Sequence, residues 1–407
     1  MKHAILTTLL AFVFVAPVIG QTVQPNPVTL NDRELSLLKQ RFFVEHAGLL
    51  SSNLWALTHD YKSLSEVDIV LNYLQGFFDA LKSDDAARLN ELGGAKGFKD
   101  KFLEFMKSED GTVKGFSTIV LGIAGDRDYA PPIAALIKER DVSFDDRFAY
   151  PMVSYRGSAA LALSLLGMKE LAPEIALLLK SRNGHDRKGA ISALANLKAA
   201  EYAKDVVSVM LSEEFEFVGD DSPVYFLIET GTAANYKKEL VKVMLREIGG
   251  DDSKAAAYAL VSLNSKQNLK EIASLLRNPF TKGDAAKALA LSGATEYGNR
   301  IGLLLNDKDI LVQKDAVIAL GVLKAKRHAR KVARLLTATE GFLAYYAAIS
   351  LVLMETREYY REAIPIIEKT HKSGAYLVES DFHPIVSEKS RRLDAAFREL
   401  LEKAKSQ

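Results

Sequence analysis

Apolar residues recur with a helical period along nearly the whole chain. Between Leu303 and Leu336 an apolar helix end runs into a polar turn, Asn306-Asp307-Lys308-Asp309. A second helix follows with Val312, Ala316, Ala319, Leu320 and Leu323 on one side. After a basic turn comes a third, through Ala329, Val332, Leu335 and Leu336. Each helix carries one apolar stripe and needs a neighbour to cover it. The unit repeats. A leucine returns at Leu121, Leu163, Leu194, Leu227, Leu260, Leu289, Leu320 and Leu351, in steps of 42, 31, 33, 33, 29, 31 and 31 residues. Twelve residues (12) later stands a branched aliphatic residue: Ile133, Ile175, Val206, Ile272, Ile301 or Val332, displaced by one to Leu240 and Ile364 in the other two units. Ala162, Ala193, Ala259, Ala288 and Ala319 precede the leucine, and their small side chains let paired helices approach closely. A helix–turn–helix unit of roughly thirty residues, repeated about eight times, predicts an all-α fold: an α-solenoid with helical caps.

The flanks depart from this period. Residues 31–114 are helical without a fixed repeat and read as an N-terminal cap region ahead of an array over 115–374. Residues 375–407 end in a helix with Leu393, Phe397, Leu400 and Leu401 on one side, which reads as a C-terminal cap. Two insertions interrupt the array. One carries Phe144, Phe148 and Tyr150, the other Phe215 and Phe217, both among carboxylates. Insertions in a solenoid emerge as loops along one edge. These aromatics fit either partner recognition or a tuck over exposed helix ends.

Met1–Gly20 has a short positive start, an apolar stretch from Ala4 to Val15, and small residues before Gln21, the three-part pattern of a signal peptide. Residues 21–30, with Pro25 and Pro27, read as an extended lead. Export to a bacterial periplasm or the exterior is therefore expected, with no transmembrane segment after cleavage. The whole chain carries a net charge of +1, which gives no overall bias toward nucleic acid or anionic membrane. It has 0 cysteines, which excludes disulfides, thiolate metal sites and a thiol nucleophile.

Leu305-Asn-Asp-Lys-Asp-Ile-Leu-Val-Gln-Lys-Asp-Ala-Val-Ile-Ala-Leu-Gly321 resembles a HEAT repeat of the short kind also found in bilin lyase-like proteins, with Gln313 where that family usually has Arg. Asp186–Leu194 and Tyr155–Leu163 match more loosely. The resemblance implies an armadillo/HEAT-like superhelix and is nearly silent on function, since such repeats are chiefly scaffolds for binding.

No catalytic pattern stands out. The seven histidines (7) form no HExxH and none lies four residues from another. His59-Asp60 and His185-Asp186 only imitate the His–Glu pairs of HEAT-like di-iron hydroxylases, so no metal or cofactor is expected. One feature is less ordinary. Five of the eight second helices carry a cation ten residues after the leucine: Lys204, Lys237, Lys270, Arg330 and Arg361, with Lys331 beside Arg330. A cation at a helix start opposes the helix dipole. Asp205, Glu271 and Glu362 follow three of them, so both plain solvation and a basic ridge for an acidic partner fit. The expectation is a non-catalytic scaffold binding a protein or peptide, not nucleic acid. Its rivals are a lyase-like HEAT enzyme and a glycan- or lipid-binding module.

Overall fold

In the computed structural model, residues 33–59, 64–139, 154–212, 221–246, 250–264, 266–337, 341–372, 382 and 384–406 are described. The expected signal peptide, the lead and the aromatics Phe144, Phe148, Tyr150, Phe215 and Phe217 lie outside them. Among the described residues there are helices and no strands, and the chain is an all-α solenoid of HEAT-like helix pairs. The described residues form two compact units that divide between Val206 and Val207.

Five helices come first: α1 (Arg33–Gln40), α2 (Ala47–His59), α3 (Leu64–Ser83), α4 (Ala86–Glu91) and α5 (Gly94–Phe105). A π-helical turn, Arg41–Glu45, joins the first two. Phe42, Phe77, Phe78, Phe98 and Phe102 are buried together; Phe77 and Phe98 stack with centroids 4.1 Å apart.

The pairs follow. The first helices are α6 (Gly111–Ala124), α8 (Tyr155–Leu165), α10 (Gly184–Asn196), α12 (Ser222–Glu229), α14 (Asp251–Ser262), α16 (Lys282–Leu291), α18 (Ile310–Val322) and α20 (Gly341–Leu353). The second helices are α7 (Ala130–Lys138), α9 (Ala172–Leu177), α11 (Ala203–Leu211), α13 (Lys237–Met244), α15 (Leu269–Ser274), α17 (Gly298–Leu303), α19 (Ala329–Ala333) and α21 (Tyr360–Lys372). Short polar side chains start several first helices by accepting free backbone N–H groups: Asp110 from Thr112 and Val113, Asn183 from His185, and Asp309 from Leu311.

The recurring leucine is the anchor of each pair. All eight are fully buried, at 0% exposure. In six units its carbonyl also accepts the N–H of the fifth residue on, as with Met168 to Leu163 (3.1 Å) and Ala325 to Leu320 (3.0 Å), which closes the helix. That closure needs a left-handed residue in between. Gly125, Gly167, Lys198, Gly231, Asn264, Gly293, Lys324 and Glu355 all take positive φ there. A 3₁₀ turn then leads into the second helix. In the fourth unit this turn, Ala233–Tyr236, has 4 residues where the others have 3, and the buried aliphatic therefore shifts to Leu240. The eighth unit corrects the sequence reading. Ala363 holds the register position at 0% exposure, and Ile364 is only half-buried.

First helices approach backbone to backbone over small residues. A Cβ on Gly122 would lie 2.7 Å from Ala162 Cα, and one on Gly189 would lie 2.4 Å from Gly157 Cα. Gln313 donates to the Asp307 carbonyl at 2.6 Å and so braces the turn before its own helix. The last helix, α22 (Ser387–Lys405), buries Phe397 and Leu401. At its start Lys389 donates to the Val261 carbonyl (2.8 Å) and to Asn264 Oδ1 (2.9 Å), three pairs back along the array.

Candidate acid–base site on the first helices

Charged side chains are rare inside the Ala/Leu-rich first helices, because an ion needs a partner when it leaves water. Two adjacent first helices break this rule together. Asp284 and Lys287 lie one turn apart on α16, and Asp315 lies one repeat later on α18, at the same register as Asp284. Lys287 Nζ stands 3.4 Å from Asp284 Oδ1 and 3.2 Å from Asp315 Oδ1. Lys314 Nζ is 3.6 Å from the same Asp315 oxygen and 5.3 Å from the Tyr346 ring centre. At the other end the Tyr258 hydroxyl of α14 donates to Asp284 Oδ1 at 3.2 Å.

Gly283 makes room for this arrangement. A Cβ there would lie 2.5 Å from Asp315 Oδ2, so the carboxyl rests directly on the α16 backbone. The side chains of Asp315, Lys287 and Asp284 keep 13%, 8% and 24% of their surface, so the cluster is recessed but reachable. Burial pushes the Asp315 carboxyl above the usual carboxylate range. Lys287 and Lys314 pull it down, Asp284 adds to the rise, and burial prevails. Its Oδ1 accepts no well-directed hydrogen bond despite the nearby ammonium groups. A carboxyl kept toward its neutral form beside a fixed cation can give or take a proton.

A second buried carboxylate has a different setting. Asp186 on α10 is sealed at 0% exposure, accepts from Ser181 Oγ at 2.7 Å and from Ser154 Oγ, and pairs with Arg156 Nη1 at 3.1 Å. Its donors come from the preceding pair, and it locks the start of its helix.

The cations singled out from sequence occupy one repeated position. Lys204, Lys270, Arg330 and Arg361 are the second residues of their helices, Lys237 is a first residue, and Lys331 a third. All but half-buried Lys237 are exposed. None forms an ion pair among the described residues. The structure does not bring them to the cluster around Asp315. Sequence reasoning missed that cluster, although its signal was present: Asp284 and Asp315 are one step of 31 residues apart, like Leu289 and Leu320.

No known family's profile matches the chain, and no curated protein is similar to it. Solved structures do match. The complex of CpcE and CpcF of phycocyanin lyase from Nostoc sp. PCC7120 is similar over 67% of this chain and 94% of that one, with 18% identity and a TM-score of 0.31. An engineered protein is similar over 91% of this chain and 99% of its own, with 16% identity and a TM-score of 0.37. The expectation that the chain is not an enzyme does not hold beside the first of these, which is a structure of a lyase.

Proposed function

We propose that the chain acts by proton transfer at Asp315, on a solenoid that also docks a macromolecular partner; this is the lyase-like reading of the repeat. The observation that supports it is the recessed carboxyl of Asp315, held toward its neutral form with Lys287 at 3.2 Å. An addition or elimination needs an acid for the leaving group or the developing anion, and a fixed cation to steady the charge. Asp315 has the first property and Lys287 the second. A diazo reagent, which esterifies only protonated carboxyls, tests the premise: Asp315 should be labelled at pH 6 ahead of Asp284. In a panel of elimination substrates, Asp315→Asn should lower kcat by about 100-fold or more. Undiminished turnover by that variant would sink the reading.

A protein or peptide partner, with acidic ones favoured, has its support in the cations at the second-helix starts, exposed except for Lys237 and without an ion pair among the described residues. Lys270→Glu with Arg330→Glu should weaken capture of such a partner and flatten its salt dependence. The pattern of Met1–Gly20 supports export; a mature chain beginning at Gln21 would be the expected outcome of N-terminal sequencing.

A further inference from the structure

The π-helical turn Arg41–Glu45 interrupts the first helical stretch and sets Arg41 against the loop after α6. Such turns are rare and recur at functional sites. The Arg41 guanidinium lies on Gly125, where φ is +80°; a Cβ there would fall 1.7 Å from Nη1, so only glycine admits the contact. Arg41 Nε is buried without an acceptor, and the guanidinium has no carboxylate partner among the described residues. A cation held by shape and left without a counter-ion is costly unless something supplies one.

The guanidinium borders a cavity of about 480 Å³, enough for a small organic molecule. The other charges around it are largely spoken for. Lys99 Nζ is 2.6 Å from Asp126 Oδ2 and 3.6 Å from Glu34, and Arg127 reaches Glu170 at 3.5 Å. Four cations line the cavity against three carboxylates, which leaves one net positive charge. Leu37, Leu38, Ala95 and Ala124 supply an apolar wall. We infer that this cavity binds a small monocarboxylate carrying an apolar group, with its carboxylate on Arg41. A planar guanidinium matches a carboxylate with two parallel hydrogen bonds. One net positive charge suits a monoanion better than a phosphate dianion.

The probe is benzoate, titrated calorimetrically into the full chain, with benzamide, benzylamine and inorganic phosphate in parallel. Benzoate should bind saturably below about 10 mM, and benzamide and benzylamine should not. Arg41→Gln should weaken benzoate binding about tenfold or more, while Arg392→Gln, at an exposed arginine of α22, leaves it unchanged. Phenylglyoxal modification of Arg41, mapped by mass spectrometry in the unmutated protein, should be slowed by benzoate. That readout survives if the variant misfolds. Phosphate binding more tightly than benzoate, equal binding by folded Arg41→Gln, or no protection of Arg41 would each overturn the inference.

Discussion

Asp186 and Asp315 are both carboxylates on first helices, one sealed and one recessed, and they are built to opposite ends. Asp186 has two hydroxyl donors and an arginine, and it is closed to solvent. Asp315 has two lysines near one oxygen, a repelling carboxylate one repeat away, and a path to solvent. A fully satisfied ion fixes a helix start. An under-satisfied one keeps its proton available. The difference between a structural carboxylate and a reactive one thus lies in the number and aim of its donors, more than in depth of burial.

The comparison breaks most sharply at Arg156. Arg156→Ala leaves the Asp186 charge sealed without its cation, and should cost about 3 kcal/mol in chemical denaturation. Lys287→Met is the matching change at Asp315 and should cost only about 1–2 kcal/mol, because that carboxyl can take up a proton instead. Lys198→Gly relieves a left-handed lysine four residues after Leu194, just past the end of the helix that carries Asp186. It should stabilise by about 0.5–1 kcal/mol and leave the cost of Arg156→Ala unchanged. The smallest effect is that of Asp315→Asn. The folded-state pKa of Asp315 lies above its unfolded value, so the native state binds the extra proton, and stability falls as pH rises between the two values. The Asn variant lacks this fall. It should gain on the unmutated protein from pH 4 toward pH 7, by on the order of 1 °C in Tm. A carboxyl NMR titration that placed Asp315 at or below the ordinary aspartate value would erase the contrast.

Much of the fold was legible because burial repeats with the chain. The eight leucines are fully buried, and the aliphatic residue twelve on is buried wherever the turn has its usual length. The exceptions have local causes. A longer 3₁₀ turn moves Leu240 by one place, and in the eighth unit the small Ala363 fills the position held elsewhere by a branched aliphatic. The turn itself was harder to read: Lys198, Lys324 and Glu355 take a conformation whose usual mark is glycine. The cluster around Asp315 was less legible still. In their own helices Asp284, Lys287 and Asp315 each look like an ordinary helix-surface charge. Only the stacking of α14, α16 and α18 turns Tyr258, Asp284, Lys287 and Asp315 into neighbours. The Arg41 cavity joins residues more than 80 positions apart and has no periodic signature at all.

A linear array of pairs that touch only their neighbours loses its last pair first, one step at a time. The contacts of Lys389 with Val261 and Asn264 alter that order. The chain between α14 and α22 becomes a closed loop, so the eighth pair cannot peel away while the fifth stays in place. Hydrogen exchange in α20 and α21 should therefore follow that of α14, with one shared opening event in place of a gradient toward the C-terminus.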